Sequence, residues 1–233
     1  MSTRAITPWA KARAERRAPV VRLSQLAGGS FCPRQVAMFS LPEREYSAFI
    51  FDCDGTLADS MPLHHEAWLS AFRKHGACFV FSWQLFMSRA GKTLELTVEE
   101  LNAEFGEQLD PIAVARDQRA EYQARIASIQ PIESVVAFAR ERAARGFPVS
   151  VASGGDAPTV AKTLRAIGVH DLFPIVVTAA EVAHGKPAPD LFLLAAERMA
   201  VPAESCLVFE DSALGILAAE RAGMGAVLVT SRV

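Results

Sequence analysis

The chain has 233 residues, about half of them apolar, a formal net charge of −2, and four scattered cysteines, Cys32, Cys53, Cys78 and Cys206. That length can bury a sizeable core plus a small accessory domain. The near-neutral charge gives no electrostatic case for a nucleic-acid partner, and cysteines without Cys-x-x-Cys spacing favour a reducing compartment and no structural zinc. No apolar run approaches the ~20 residues that span a bilayer, and no hydrophobic signal core opens the chain. A cytoplasmic protein without a membrane partner is expected.

Residues 1–45 differ in kind from the rest. Arg4, Lys11, Arg13, Arg16, Arg17, Arg22 and Arg34 face only Glu15 among acids over the first forty positions. This basic stretch reads as a poorly ordered extension with at most weak helix near Trp9 to Arg17, a transit peptide or interaction arm being the alternatives. The run Ala48-Phe49-Ile50-Phe51 then reads as a short strand buried on both faces. It stops at Asp52-Cys53-Asp54-Gly55-Thr56, where Gly55 lets the chain turn at once.

From Met61 to Ser128 the periodicity is helical, with helices expected at His64 to Lys74, Thr93 to Phe105 and Pro111 to Ile126. From Pro131 the pattern alternates: helix Ile132 to Arg145, a strand from Val149 into the turn Ser153-Gly154-Gly155, helix Pro158 to Ile167 stopped by Gly168, and strand Ile175 to Val177. Helix Asp190 to Met199, strand Cys206 to Phe209, helix Ala213 to Ala222 and strand Ala226 to Val229 follow. Strands joined by helices predict an α/β fold, a Rossmann-like parallel sheet with right-handed crossovers. The expected division is a catalytic core of residues 46–60 and 129–233, with an α-helical cap of residues 61–128 inserted after the first strand.

Asp52 and Asp54 are the chemical centre of the pattern. Residues i and i+2 of an extended segment point the same way, so both carboxyl groups reach one site at the carboxyl end of a strand. One can attack while the other handles protons. A solvated Asp-rich turn or a calcium loop is the bland alternative, and the latter lacks its ladder of acids and terminal Glu. Three further segments supply what phosphoryl transfer needs. Ser153 can donate to a phosphate oxygen beside the backbone N–H groups of its turn, or merely cap a helix. Lys186, one of five lysines against nineteen arginines, sits in the Pro-stiffened loop Gly185-Lys186-Pro187-Ala188-Pro189-Asp190 and suggests a compact charge aimed at phosphate, a surface lysine being the alternative. Glu210 and Asp211 end an apolar strand and could complete a Mg²⁺ site with Asp52 and the backbone carbonyl of Asp54, or serve only as helix N-terminal acids. Four such features in this order outweigh the separate accidental readings.

In these motifs the chain resembles the haloacid dehalogenase-like hydrolase superfamily, over roughly Tyr46 to the C-terminus. The resemblance implies Asp52 as the nucleophile that forms an aspartyl-phosphate, Asp54 as general acid and base, and Thr56, Ser153, Gly154 and Lys186 as phosphate or substrate contacts. It also implies Mg²⁺ held by Asp52, Asp54 and Asp211 with Glu210 assisting. Dehalogenation is disfavoured, because a carbon–halogen bond needs no acid for its leaving group. The continuation through Asp59-Ser60-Met61-Pro62-Leu63-His64-His65-Glu66-Ala67-Trp68 is similar to the β-phosphoglucomutase-like group, and most of all to its bacterial fructose-1-phosphate and 6-phosphogluconate phosphatases. His64, one turn before Trp68, is expected to touch substrate or Asp54, and His65 to face solvent. The mutases of the group carry a cap Lys-Gly pair and, three residues after the Gly, an Arg that grips a second phosphate. Here Ala90 precedes Gly91 and Leu94 stands at the Arg position. A hydrolase of small phosphorylated sugars or sugar acids is therefore expected, as a monomer or weak homodimer. The alternatives are a sugar phosphomutase in which Arg89 or Lys92 substitutes, and a silent metabolite-binding protein.

Overall fold

The computed structural model describes residues 45–230. The expectations for the basic extension and its weak helix lie outside the described residues. Five parallel strands form one sheet in the order β3-β2-β1-β4-β5, with β1 at Ala48–Phe51, β2 at Val149–Ser153, β3 at Val176–Thr178, β4 at Cys206–Glu210 and β5 at Gly225–Leu228. The α/β fold with a parallel sheet is as the alternation of apolar runs implied.

Strand β1 shows why its four residues are all apolar. Its side chains alternate between faces. Phe49 and Phe51 enter a core beneath helices α5 (Glu133–Ala144) and α6 (Ala157–Ala166), while Ala48 and Ile50 enter a second core beneath α7 (Asp190–Met199) and α8 (Ala213–Arg221). The first core is aromatic: Phe51 stacks on Phe209 at 4.9 Å and Phe138 meets Phe49, Phe51 and Phe209. In-register pairing of Phe51 with Val151 and Phe209 then brings the ends of three strands level. Asp52 and Glu210, which follow Phe51 and Phe209, and Ser153 at the end of β2 emerge at one edge.

Between β1 and β2 lie α1 (Met61–Lys74), α2 (Trp83–Met87), α3 (Leu94–Phe105) and α4 (Pro111–Arg125). They enclose a third core around Trp68, Phe72, Phe81, Phe86, Val98 and Leu101. Helices α1 and α4 also reach the sheet-side core through Leu63, Ala67 and Tyr122.

Several boundaries differ from the sequence expectation. Helix α1 starts three residues early, because Pro62 is compatible with a first helical turn and Ser60 takes the N-cap position. Strands β3 and β5 are shifted by one residue through pairing with their neighbours, Val151 with Val176 and Glu210 with Leu228. The short helix α2, capped by Ser82 on the N–H of Leu85, was not anticipated, and it moves His65 from the expected surface. The His65 ring is half-buried among Phe81, Trp83 and Phe86, with Nε2 3.0 Å from the Phe81 carbonyl oxygen.

The Phe51 ring has no exposed surface and neighbours on three sides. Phe51→Ala is expected to lower folding stability by about 3–5 kcal/mol, read from equilibrium urea denaturation.

Candidate active site

The turn after β1 fixes the geometry. Gly55 adopts φ +80, its N–H donates to the Ala58 carbonyl, and the N–H groups of Leu57 and Ala58 donate to the Cys53 carbonyl. A Cβ at Gly55 would stand 2.1 Å from an Asp211 carboxylate oxygen, so both dihedral and space demand glycine here. Glycine is needed at Gly215 too, since a Cβ there would lie 2.0 Å from the Glu210 carboxyl carbon.

Lys186 arrives from the loop between β3 and α7 and is buried between two acids. Its Nζ donates to Asp52 Oδ1 at 2.6 Å and to Glu210 Oε2 at 2.8 Å. The other Glu210 oxygen accepts from Ser212 Oγ at 2.5 Å, and Ser212 in turn accepts the Gly215 N–H and caps α8. Among the described residues, Asp52, Glu210 and Asp211 bring carboxylate oxygens within 4.8 Å of one another. Burial first, and the Glu210 charge second, push the Asp52 carboxyl up to about 8 despite Lys186. Burial and the charges of Asp52 and Glu210 hold Asp211 well above its ordinary range. Burial alone would lower the Lys186 ammonium, but the two acids beside it raise it instead. Three carboxylates against one ammonium leave an excess of negative charge, and all the donors are hard oxygens. That set fits Mg²⁺.

Asp54 lies apart from this cluster. Its Oδ1 accepts from Ser60 Oγ at 2.7 Å and from Tyr122 Oη at 3.1 Å, with His64 Nε2 3.2 Å away. The His64 ring stacks on Tyr122 with centroids 3.8 Å apart, and its Nδ1 is 3.2 Å from the amide nitrogen of buried Gln118. Burial raises the Asp54 carboxyl, but the opposing pull of His64, then Ser60 and Tyr122, is greater in sum and holds it below the usual carboxylate range. The Asp54 carboxylate is not among the clustered metal-ligand candidates, which are Asp52, Glu210 and Asp211.

The remaining sequence-predicted residues divide. Ser153 and Gly154 line the same cleft as Asp52, Asp54, His64 and Lys186, a cavity of about 300 Å³. Ser153 is not the helix cap: Asp156 takes that place, accepting the Thr159 N–H, while Ser153 Oγ accepts the Gly155 N–H at 3.1 Å. Thr56 does not reach the cleft. The tight turn folds it inward, fully buried, with its hydroxyl unpartnered. Arg89 and Lys92 do line the cleft, yet both are ion-paired, Arg89 to Glu104 and Glu100, Lys92 to both oxygens of Glu100.

Sequence reasoning missed Ser60, Gln118, Arg119, Tyr122 and Asp156. Gln118 and Tyr122 stand four apart on one face of α4 beside buried Val114 and Ala115, a polar intrusion into an apolar stripe that was available as a signal. Nothing local in the sequence says which other segment that face meets.

The fold and the acid-lysine edge of the sheet define a hydrolase of the phosphoryl-transfer kind. The family described as haloacid dehalogenase-like hydrolase matches residues 46–223. The chain is 34% identical to the fructose-1-phosphate phosphatase YqaB of Escherichia coli, covering 78% of this chain and 95% of that protein. It is 33% identical to the putative phosphatase YhcW of Bacillus subtilis, with 80% and 84% covered. Among solved structures, a hydrolase from Pseudomonas syringae superposes with a TM-score of 0.70 at 26% identity, covering 77% of this chain and 83% of that one. The chain belongs to the haloacid dehalogenase-like hydrolases, and is an enzyme of their phosphoric monoester hydrolase kind.

The acid cluster makes stability depend on pH, and its fit to Mg²⁺ predicts a dependence on that cation. A carboxyl held high in the fold contributes fully below its unfolded value near 3.8, and that contribution is lost as pH rises toward about 8. In chelator, the thermal midpoint is expected to fall between pH 5 and pH 8, and added Mg²⁺ to raise it more at pH 8 than at pH 5. Differential scanning calorimetry at roughly these two pH values checks this; an equal Mg²⁺ effect at both would sink the assignment.

Proposed function

We propose that the protein hydrolyses small phosphorylated sugars or sugar acids through an aspartyl-phosphate on Asp52, with Mg²⁺ as cofactor. The observation that carries this reading is the different surroundings of two carboxylates two residues apart. Asp52 lies among Lys186, Glu210 and Asp211, whereas Asp54 is held by neutral hydroxyls and a histidine. The first environment suits a nucleophile facing a phosphoryl group, the second a proton carrier facing its leaving oxygen.

In the first half-reaction an Asp52 oxygen attacks phosphorus and the bond to the sugar oxygen breaks. That oxygen takes a proton from Asp54. Asp54 is ionised in the free site, so a substrate entering as the phosphate monoanion can bring the proton it then relays. In the second half-reaction Asp54 takes a proton from water as that water attacks phosphorus, and inorganic phosphate leaves with Asp52 restored. Ser153 Oγ, the N–H groups of its turn and Lys186 hold the phosphoryl oxygens throughout. When bound at Asp52, Glu210 and Asp211, Mg²⁺ would supply positive charge against the developing phosphoryl charge.

Residues 61–128 serve in this reading as a cap over the core of residues 46–60 and 129–233. The cleft is lined from both, by Trp68, Phe86 and Leu94 on one side and Ser153, Gly154 and Lys186 on the other. The turn at Gly91 approaches the phosphate turn so closely that a Cβ on Gly154 would be 3.5 Å from the Gly91 carbonyl oxygen. Such a lid excludes water during the first transfer. A cytoplasmic setting fits the free thiols of Cys53, Cys78 and Cys206, and among the described residues no helix is long and apolar enough to cross a membrane. The mutase alternative loses support because Arg89 and Lys92, the candidates for gripping a second phosphate, are engaged by acids.

Phosphate release with Mg²⁺ over a panel of sugar and sugar-acid phosphates tests the reading. Asp52→Asn is expected to lower kcat/KM roughly 10³-fold or more, and Asp54→Asn to lower kcat without loss of fold. Wild-type turnover by Asp52→Asn would remove Asp52 as nucleophile.

A further inference from the structure

Of the three groups that hold Asp54, two adjust freely. The hydroxyls of Ser60 and Tyr122 can each turn a hydrogen toward Oδ1. His64 is different, because an imidazole with one ring hydrogen carries it on Nδ1 or on Nε2, and the bond made by one nitrogen decides for the other. With the hydrogen on Nδ1, a bare Nε2 would face Asp54 Oδ1 across 3.2 Å, acceptor against acceptor. With the hydrogen on Nε2, the ring becomes a third donor to the same oxygen.

Gln118 stands at the other nitrogen. It lies on α4, is 1% exposed, and has its side-chain nitrogen 3.2 Å from His64 Nδ1. An amide nitrogen offers only hydrogens, so Nδ1 accepts and the ring hydrogen is left to Nε2. The ring is held in this pairing from one side. One turn further along α4, the Tyr122 ring lies flat against it, with centroids 3.8 Å apart and planes inclined by 7°. The Tyr122 hydroxyl is itself placed by Asp54 and by Thr163 of α6, each 3.1 Å away. Val114 and Ala115, buried with Gln118 on α4, are apolar, and an amide is unfavourable in such surroundings unless it is bonded. Although Gln118 lines the cleft, it is too enclosed to offer a substrate its amide.

Resting on the phosphatase reading above, we infer that Gln118 is a positioning residue for the acid-base aspartate: its amide fixes the His64 tautomer that donates to Asp54 Oδ1. Three donors gathered on that oxygen hold the carboxylate at one angle. Its Oδ2 then faces the turn of Ser153 to Gly155, where a Cβ on Gly155 would be 4.0 Å away. A proton carrier needs such an aim, since transfer requires hydrogen-bond reach of the reacting oxygen. The reversed amide would ask for a hydrogen on Nδ1 and turn a bare Nε2 on the carboxylate.

Nitrogen NMR of the full chain, labelled at histidine and with Mg²⁺ present, tests the tautomer, the His64 signals being those lost in His64→Asn. Nε2 is expected to carry the hydrogen and Nδ1 to be bare; a hydrogen on Nδ1 overturns the inference with no change made at Gln118. Steady-state phosphate release from a sugar phosphate that the wild-type chain hydrolyses tests the consequence. Gln118→Met, similar in length and unable to donate, is expected to lower kcat roughly tenfold with KM near the wild-type value, and to give a mixture of His64 tautomers. In the His64→Asn background the same substitution should cost no further kcat, the mark of a residue that acts through His64. An equal fall in kcat in both backgrounds, or a raised KM with kcat unchanged, overturns the positioning role. So does wild-type kcat in a Gln118→Met chain that circular dichroism shows to be folded. Absence of phosphate release by the wild-type chain from every sugar phosphate overturns the phosphatase reading and the positioning role with it, while the tautomer stands or falls on the spectrum alone.

Discussion

Lys186 is the charge around which the catalytic edge of the sheet is assembled. Its ammonium, nearly without solvent exposure, touches Asp52 from the first strand and Glu210 from the fourth, and so ties together segments more than 150 residues apart in sequence. Burial and the Glu210 charge push Asp52 toward its neutral form and Lys186 opposes them only in part, and a neutral Asp52 could not attack phosphorus. One ammonium offsets only part of the charge of three clustered carboxylates. The remainder is an incomplete electrostatic arrangement, poised for a dication and for a phosphoryl group. The fold supports this arrangement from behind: apolar side chains on both faces of β1 clamp the strand, so the carboxylates at its end have little freedom to separate.

The two aspartates of the motif share a strand end but not an environment. Asp52 meets an ammonium and two acids; two residues further along the turn, Asp54 points into a cradle made by Ser60, His64 and Tyr122. All three donors converge on Oδ1 of Asp54. The second oxygen therefore remains the one available for a proton, on the side of the Ser153 to Gly155 turn, where a Cβ on Gly155 would stand 4.0 Å from it. In the proposed reading a difference in hydrogen-bond partners, rather than in sequence position, would separate nucleophile from proton carrier.

This division explains how much was legible in the chain before its structure. These residues were readable because each is announced locally: Asp52, Asp54 and Ser153 stand where an apolar run meets a glycine turn, Glu210 and Asp211 end an apolar run, and Lys186 lies between a glycine and a proline. The parallel sheet and the helices flanking it followed from the alternation of segments, whereas the strand order did not. The cradle was not readable. Tyr122 lies 68 positions from Asp54 and Gln118 lies 54 from His64, and their partnership depends on how α4 packs across α1. Thr56 shows the opposite error. The resemblance implied a phosphate contact, but the Thr56 side chain is buried in the turn that Gly55 sets. His65 was misplaced because the short helix that covers it has too few residues to show a period.

The helices between the first two strands connect the chemistry to the choice of substrate. Helix α4 contributes Tyr122 and Gln118 to the proton-handling cradle and, between them, Arg119 to the outer wall. Neighbouring positions on one helix point in different directions by about 100° per residue. A single rigid element can therefore orient the acid-base group with one face and present the charge that meets the substrate's far end with the next. Any shift of α4 relative to the core would disturb Asp54 and the Arg119 to Asp156 contact together. In the proposed reading, a substrate that disturbed the outer wall would also disturb the placement of Asp54.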